Sequence, residues 1–188
     1  SETYADADIA TAVDAASRLI DDHCHRRFYD DADTAQVRYY SPWSPSLVVI
    51  DDVITVAELA TDPGGDGTFE NVWTVNTDYL AQPINRELID ATNFEPWRTI
   101  ARHPSGRYQF TTAYPRSVRL TGKFGWPVPP SRVVQATTIM AGRLLKRGRE
   151  TPYGVVGMGL DGSSVRIPKV DADVQALLVK LVRGQGFR

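Results

Sequence analysis

The sequence predicts an α+β protein: a helical bundle of three main helices with a small antiparallel β-domain inserted between the first and second helices. Apolar residues recur at helical spacing towards both ends of the 188-residue chain. Between them, short β-type runs alternate with turn-forming segments. We therefore expect residues 1–35 and 124–188 to form a helical core and residues 36–123 a β-rich domain, together making a single structural unit.

The first helix is predicted to begin near Asp6 or Asp8, either of which can serve as its N-cap. Its apolar stripe comprises Ile9, Ala12, Val13, Ala16, Leu19, Ile20 and His23/Cys24. Acidic side chains in the first turn, with Arg26 and Arg27 near the end, suit the helix dipole.

Seven β-type runs are expected next, separated by turns rich in proline and glycine. They are Val37–Tyr40, Leu47–Ile50, Ile54–Leu59, Val72–Val75, Trp97–Ile100, Tyr108–Thr111 and Ser117–Thr121. The turn 62–67 carries two aspartates among glycines and resembles part of a calcium loop. It lacks the downstream bidentate glutamate and the regular ligand spacing of such a loop, so a hairpin turn is favoured.

The last strand stops at Gly125-Trp126-Pro127 and turns through a proline pair into the second helix, with Ser131 as its expected N-cap. The apolar face of that helix comprises Val133, Ala136, Thr137, Met140, Ala141, Leu144 and Leu145. Residues 151–168 form a glycine-rich loop with a short strand at 165–167. Asp171 is expected to cap a final helix whose apolar face comprises Val174, Leu177, Leu178, Leu181 and Val182.

The net charge of −2 conceals a strong segregation along the chain. Residues 1–95 carry 19 acidic and 5 basic side chains, residues 96–149 carry 11 basic and no acidic ones, and the remainder is near neutral. Three interpretations are open: salt bridging within one subunit, an acidic and a basic side that pair head-to-tail in a ring, or a grip on nucleic acid. The large acidic excess elsewhere weakens the third.

The residue patterns predict no catalytic, metal or cofactor site. His23, Cys24 and His25 are neighbours on a helix and point about 100° apart, so they cannot converge on one ion. The pairs Asp21/Asp22 and Asp51/Asp52 are expected to diverge into solvent, and phosphate-loop and dinucleotide motifs are absent. A non-enzymatic protein is therefore expected. The rival interpretation is a small hydrolase whose active site uses the acidic N-terminal half.

The single cysteine excludes an intrachain disulfide and is typical of assembly in a reducing cytoplasm. No apolar run reaches the roughly 18 residues that would suggest a membrane span. The acidic N-terminus does not match a secretory signal. We therefore expect no membrane partner.

Several motifs in order resemble the head–tail adaptor (connector) proteins of tailed bacteriophages, in a larger version with a β insertion. They are Ala15–Asp22 and Arg26–Phe28 in the first helix, the Gly-Lys-Phe-Gly-Trp-Pro-Val-Pro joint at 122–129, Gly154-Val-Val-Gly157, and Val170-Asp171 ahead of Leu177-Leu178. The resemblance covers nearly the whole chain.

The resemblance implies a structural virion protein of the neck, assembled in the host cytoplasm. It would form a homo-oligomeric ring, of twelve subunits in that family, which docks under the portal protein. The ring would connect the capsid to a stopper or tail-completion protein and form part of the DNA channel, with non-specific contact to passing DNA. The alternative within the neck is that the chain is itself a stopper or tail-completion protein.

Two sets of candidate site residues follow. Candidates for the subunit interface or the DNA channel are Arg143, Lys146, Arg147, Arg149, Gly154, Gly157 and Gly159. For the four cations the alternative is ordinary favourable placement at a helix C-terminus. The C-terminal segment engages the portal in that family, so the portal-docking candidates are Leu178, Leu181, Arg183, Phe187 and Arg188.

Overall fold

The computed structural model describes residues 4–150 and 172–183, with their side chains except those of 148–150. These residues form three helices, and a six-stranded antiparallel sheet lies between the first two in the chain, which confirms the predicted α+β class. The described chain divides into two compact units. We call residues 4–26 with 130–183 the helical unit and residues 27–129 the β-unit.

In the helical unit, α1 spans Asp6–Cys24, α2 Ser131–Glu150 and α3 Ala172–Leu178. One row of α1, spaced four residues apart, is buried: Ala12, Ala16, Ile20 and Cys24. Burying a side chain such as that of Ile20 contributes about 1.5–3 kcal/mol. The predicted stripe was too wide, since Ile9, Val13 and Leu19 are about 40% exposed.

The predicted N-caps of α1 and α2 were wrong, and Asp171, the predicted cap of α3, lies outside the described residues. α1 begins at Asp6, and the preceding Ala5 makes no side-chain cap bond, so the aspartates lie in the first turn, where they still suit the helix dipole. α2 begins at Ser131, but the carbonyl of Pro130 accepts the N–H of Val134 at 3.1 Å. Pro130 therefore occupies the cap position, one residue before the expected serine.

The end of α1 is a left-handed turn. His25 has φ 52°, its N–H donates to the carbonyl of Asp22, and the N–H of Arg26 donates to the carbonyl of Asp21. This bonding pattern is a Schellman motif, in which glycine usually occupies the left-handed position. The arginine pair that follows Cys24 and His25 thus lies just beyond the helix.

The other two helices bury part of the faces that the sequence predicts. The buried residues of α2 are Val133, Ala136, Met140 and Ala141, and those of α3 are Val174 and Leu178. Beyond α3, the N–H of Arg183 donates to the carbonyl of Cys24 at 2.9 Å. This bond ties the segment after α3 to the end of α1.

The β-unit contains one antiparallel sheet with strand order β1-β6-β2-β5-β4, and β3 pairs with β2. The strands are β1 Gln36–Tyr40, β2 Leu47–Thr61, β3 Asn71–Trp73, β4 Tyr79–Gln82, β5 Trp97–Arg102 and β6 Val118–Phe124. The core comprises Val48, Ile50, Val53, Leu59, Trp73, Tyr79, Ile100, Phe110, Val118, Leu120 and Phe124.

The long strand β2 combines two of the predicted runs. The acidic pair Asp51-Asp52 lies between those runs, and aspartate is disfavoured in strands. Nevertheless the strand continues through the pair with register shifts, one of which lies between Val49 and Val53. The Asp51 carboxylate accepts one hydrogen bond from Arg38 and one from the Tyr40 hydroxyl, which compensates for its position in a strand.

One further prediction in this region was wrong, and one strand was missed. Tyr108–Thr111 is not a strand, although Phe110 is buried there and stacks on Trp73 with ring centroids 4.5 Å apart. Its N–H is satisfied by the carbonyl of Pro45 at 3.0 Å. The four-residue strand β4 was not predicted, because so short a run carries little periodicity.

Candidate functional site

The joint before α2 is built on close backbone contact. The N–H of Asp31 donates to the carbonyl of Phe124, and the N–H of Trp126 donates to the carbonyl of Tyr29, both at 3.0 Å. Gly125 between them has φ 99°, and a Cβ there would collide with the Tyr29 carbonyl. The glycine of the joint is therefore a backbone requirement of the crossing.

Trp126 fixes the same joint with its side chain. The ring is buried, lies 5.3 Å from the Phe28 ring between centroids, and donates its indole N–H to the Asp52 carboxylate at 3.0 Å. Asp52 is also buried, so the prediction that Asp51 and Asp52 both diverge into solvent was wrong for Asp52. The joint is thus a packed structural element.

Within the β-unit, basic side chains of the acid-free region 96–149 pair with acids from the preceding region. The pairs are Arg98–Glu95 at 3.5 Å, Arg107–Asp78 at 2.6 Å, Arg119–Glu58 at 2.8 Å and Lys123–Asp30 at 3.6 Å. The segregation along the sequence therefore does not become a segregation in space there. In this unit the salt-bridging interpretation holds.

Asp78 is the most enclosed of these acids. Its carboxylate accepts bonds from the backbone N–H groups of Thr74 and Arg107 and from the Arg107 guanidinium. The guanidinium is the largest cause of a pKa for Asp78 far below the ordinary range; the backbone donors add to it, while desolvation opposes it. These four hydrogen bonds hold two loops together and occupy both oxygens of the Asp78 carboxylate.

The helical unit keeps its charge segregation. α1 contains five aspartates and one arginine, a net −4, whereas α2 contains five basic residues and one glutamate, a net +4. Of the predicted cations, Arg143 and Lys146 are exposed and Arg147 is half-buried. Arg149 belongs to α2, but its side chain lies outside the described residues, as do Gly154, Gly157 and Gly159 entirely.

The structure separates the portal-docking candidates into two groups. Leu178 is fully buried, so it contributes to any docking surface only by packing beneath it, whereas Leu181 and Arg183 are half-buried. Phe187 and Arg188 lie outside the described residues. Val182 was predicted on the buried face but is 39% exposed, and Val179, which was not predicted there, is 68% exposed.

The turn after β2 gathers three carboxylates. Ligand oxygens of Asp62, Asp66 and Glu70 lie within 4.8 Å of one another, the one such group in the described chain. Both oxygens of Asp62 accept backbone N–H groups of the turn, from Gly65 at 2.6 Å and Gly67 at 2.8 Å. Burial raises the pKa of Asp62, but these bonds outweigh it and the pKa is lowered. Asp62 thus closes the predicted hairpin turn.

Cys24 has the surroundings of a packing residue. It is fully buried, and burial is the main cause that raises the pKa of its thiol to about 11, with Arg26 opposing and Asp21 adding to the shift. The thiol is therefore protonated at neutral pH and a poor nucleophile. His23 and His25 on either side of it are half-buried.

Neither a protein-family model nor a curated protein sequence matches the chain. Among solved structures, a chain from the neck of a native gene transfer agent (GTA) particle, computed with C12 symmetry, has a TM-score of 0.51. The two are 16% identical, and the match covers 97% of this chain and 87% of that chain. In the described residues, every helix is too short or too polar to cross a bilayer.

A chain from the neck of an empty GTA particle, computed with C6 symmetry, has a TM-score of 0.50 and 16% identity. That match covers 100% of this chain and 87% of the other. The chain thus shares the fold of neck components over almost its full length.

Proposed function

We propose that the chain is a structural component of a phage-like neck and acts there as a ring-forming head–tail adaptor. The observation that carries the proposal is the fold shared with a neck chain over 97% of this chain and 87% of the other. The ordered motifs that resemble the adaptor family support it independently. One of them, Gly125-Trp126, makes backbone and side-chain contacts that fix the joint before α2.

In this role the ring docks under the portal and connects the capsid to a stopper or tail-completion protein, and the genome passes through its channel. Twelve subunits are expected from the family resemblance, and the similar native neck was computed with C12 symmetry. The role is structural and non-enzymatic.

The portal contact is assigned to the segment after α3. Val179 and Val182 are exposed apolar side chains, and Lys180 between them is also exposed. The bond from the Arg183 N–H to the Cys24 carbonyl holds the backbone of this segment against the end of α1.

The first experiment is the native mass of the purified chain, alone and mixed with the portal of the same particle. An adaptor adds to the portal in one fixed ratio and gives a closed ring. A chain that stays monomeric and unbound at micromolar portal contradicts the proposal. Binding to the opposite face of a completed neck, without portal contact, identifies a stopper instead.

The docking segment is tested with Val179→Asp, which should weaken portal binding at least tenfold without loss of helix content. The matched control is Val72→Asp, which changes an exposed valine of β3 in the β-unit (49% exposed, against 68% for Val179). A truncation after Arg183 removes residues 184–188 and preserves the bond to Cys24. Unchanged portal binding by both altered chains would refute this assignment.

A further inference from the structure

The two long helices of the helical unit carry opposite charges on exposed flanks with the same residue spacing. The acidic flank of α1 comprises Asp8, Ala15, Leu19 and Asp22, and the basic flank of α2 comprises Arg132, Ile139, Arg143 and Lys146. In both sets the successive spacings are seven, four and three residues, which place the members on one side of a helix. The apolar members lie between the charged ends.

The charged ends of the two flanks are the same distance apart. Asp8 and Asp22 are separated by fourteen residues, as are Arg132 and Lys146. At 1.5 Å of rise per residue, each separation is about 21 Å along its helix. Either a parallel or an antiparallel alignment of the flanks therefore brings each aspartate to a cation.

These side chains are exposed except that of Ile139, which is half-buried, and the buried rows of α1 and α2 lie on other sides of the helices. The ion pair described within the helical unit joins Arg18 to Asp21 of the same helix. In the described chain, neither Asp8 nor Asp22 forms an ion pair with Arg132 or Lys146. The four charges at the ends of the flanks therefore do not pair with one another within one copy.

We propose that the acidic flank of α1 in one copy docks on the basic flank of α2 in the next copy. This inference rests on the ring proposed above and names its contact surfaces. Two different surfaces of each subunit meet in such a contact, which is the heterologous arrangement that closes into rings. Leu19 and Ile139 supply the apolar centre, and the flanking charges set the register and exclude a like-with-like pairing.

The test uses two charge-reversed variants. Asp8→Lys/Asp22→Lys has two basic flanks, and Arg132→Glu/Lys146→Glu has two acidic ones. Each reversal replaces attraction by repulsion at two exposed pairs, so we expect association at least about tenfold weaker per interface for either variant alone. An equimolar mixture regains wild-type association, because every contact between unlike variants is again complementary.

The mixture should give rings with equal numbers of the two variants, seen by native mass spectrometry on the portal. Sedimentation of concentrated protein without portal provides a second measurement: the mixture associates more strongly than either variant alone. The control, Glu70→Lys/Glu87→Lys, makes the same charge change on exposed residues of the β-unit and should assemble like the wild type.

Two results would overturn the interface. In the first, either variant alone associates like the wild type. If particles that carry the basic-flank variant then fail to retain their DNA, the basic flank lines the DNA channel instead. In the second, both variants keep their helix content but the mixture fails to associate. If the wild type forms no ring on the portal, the adaptor proposal itself fails. If the wild type and both charge-reversed variants all form rings, only the proposed interface is wrong.

Discussion

A pair of glycine-to-alanine substitutions gives opposite predictions for the two units. Gly125 has φ 99°, and a Cβ there would collide with the Tyr29 carbonyl. Gly142 lies exposed in α2, and a Cβ there would meet no atom within 4 Å. Gly125→Ala should therefore destabilise the protein strongly, and Gly142→Ala should stabilise it.

The magnitude for Gly125→Ala follows from its surroundings. The forced backbone conformation costs about 1–3 kcal/mol. Relieving the collision displaces the two bonds that join Asp31 to Phe124 and Trp126 to Tyr29, each contributing about 0.5–1.5 kcal/mol. The sum is about 2–6 kcal/mol, a large share of the roughly 5–15 kcal/mol that stabilises a typical domain. For Gly142→Ala the expected gain is about 0.8–1 kcal/mol.

The assay is urea unfolding followed by two probes. All tryptophans lie in the β-unit, at positions 43, 73, 97 and 126, so their fluorescence reports on that unit. Circular dichroism at 222 nm reports on the helices. With an m-value of about 2 kcal/mol/M, Gly125→Ala should lower the fluorescence midpoint by roughly 2 M. A Gly125→Ala protein whose midpoint lies within about 0.3 M of the wild type refutes the reasoning.

Three further predictions concern buried groups. Trp126→Phe removes a hydrogen bond to the Asp52 carboxylate and should cost about 1.5–3 kcal/mol in urea unfolding. The pKa of Asp78 is lower in the folded than in the unfolded state, so its contribution to the free energy of unfolding is present above about pH 4 and is lost as the pH falls further. Arg107→Met should reduce this loss of stability in acid, measured as the urea midpoint at several pH values. Leu178→Ala empties a fully buried position and should cost about 2–5 kcal/mol by thermal or urea unfolding followed at 222 nm.

Each of these predictions has a matched control. Trp43 is 61% exposed, so Trp43→Phe should leave the midpoint unchanged; equal effects at positions 43 and 126 would contradict the role given to the indole bond. Arg132→Met removes a cation outside the β-unit and should leave the acid slope as it is. Val179→Ala changes an exposed side chain one residue after Leu178, and a cost as large as that of Leu178→Ala would contradict the burial argument.

The helices could be predicted because their periodicity is strong. The buried row of α1 and the buried face of α2 fall where the apolar spacing places them, since a helix repeats its face over many turns. The exact starts could not be predicted, because an aspartate or serine at the right position is only one of several groups able to satisfy the first turn. In α2 the carbonyl of Pro130 and the proline turn decide the start.

The β-unit was predictable in kind but not in detail, because its strands depend on partners far away in sequence. Asp51 and Asp52 look like a break until Arg38 and Trp126 are brought to them. Phe110 looks like part of a strand, but its N–H bonds to Pro45 outside the sheet. The ion pairs could not be predicted for the same reason, since their partners are far apart in the sequence: Lys123 pairs with Asp30, 93 residues away.

The pinned crossing at Gly125 has a consequence for how the helices come together along the chain. Residues 25–130 separate α1 from α2, and closing so long a flexible loop is entropically costly. Once Tyr29 is bonded to Trp126, only about ten residues remain between the two helices, which lowers the closure cost by about 2 kcal/mol. Residues 30–125 are then an insertion in a connection of about ten residues. A version of the chain that joins residue 29 directly to residue 126 should still bring its helices together.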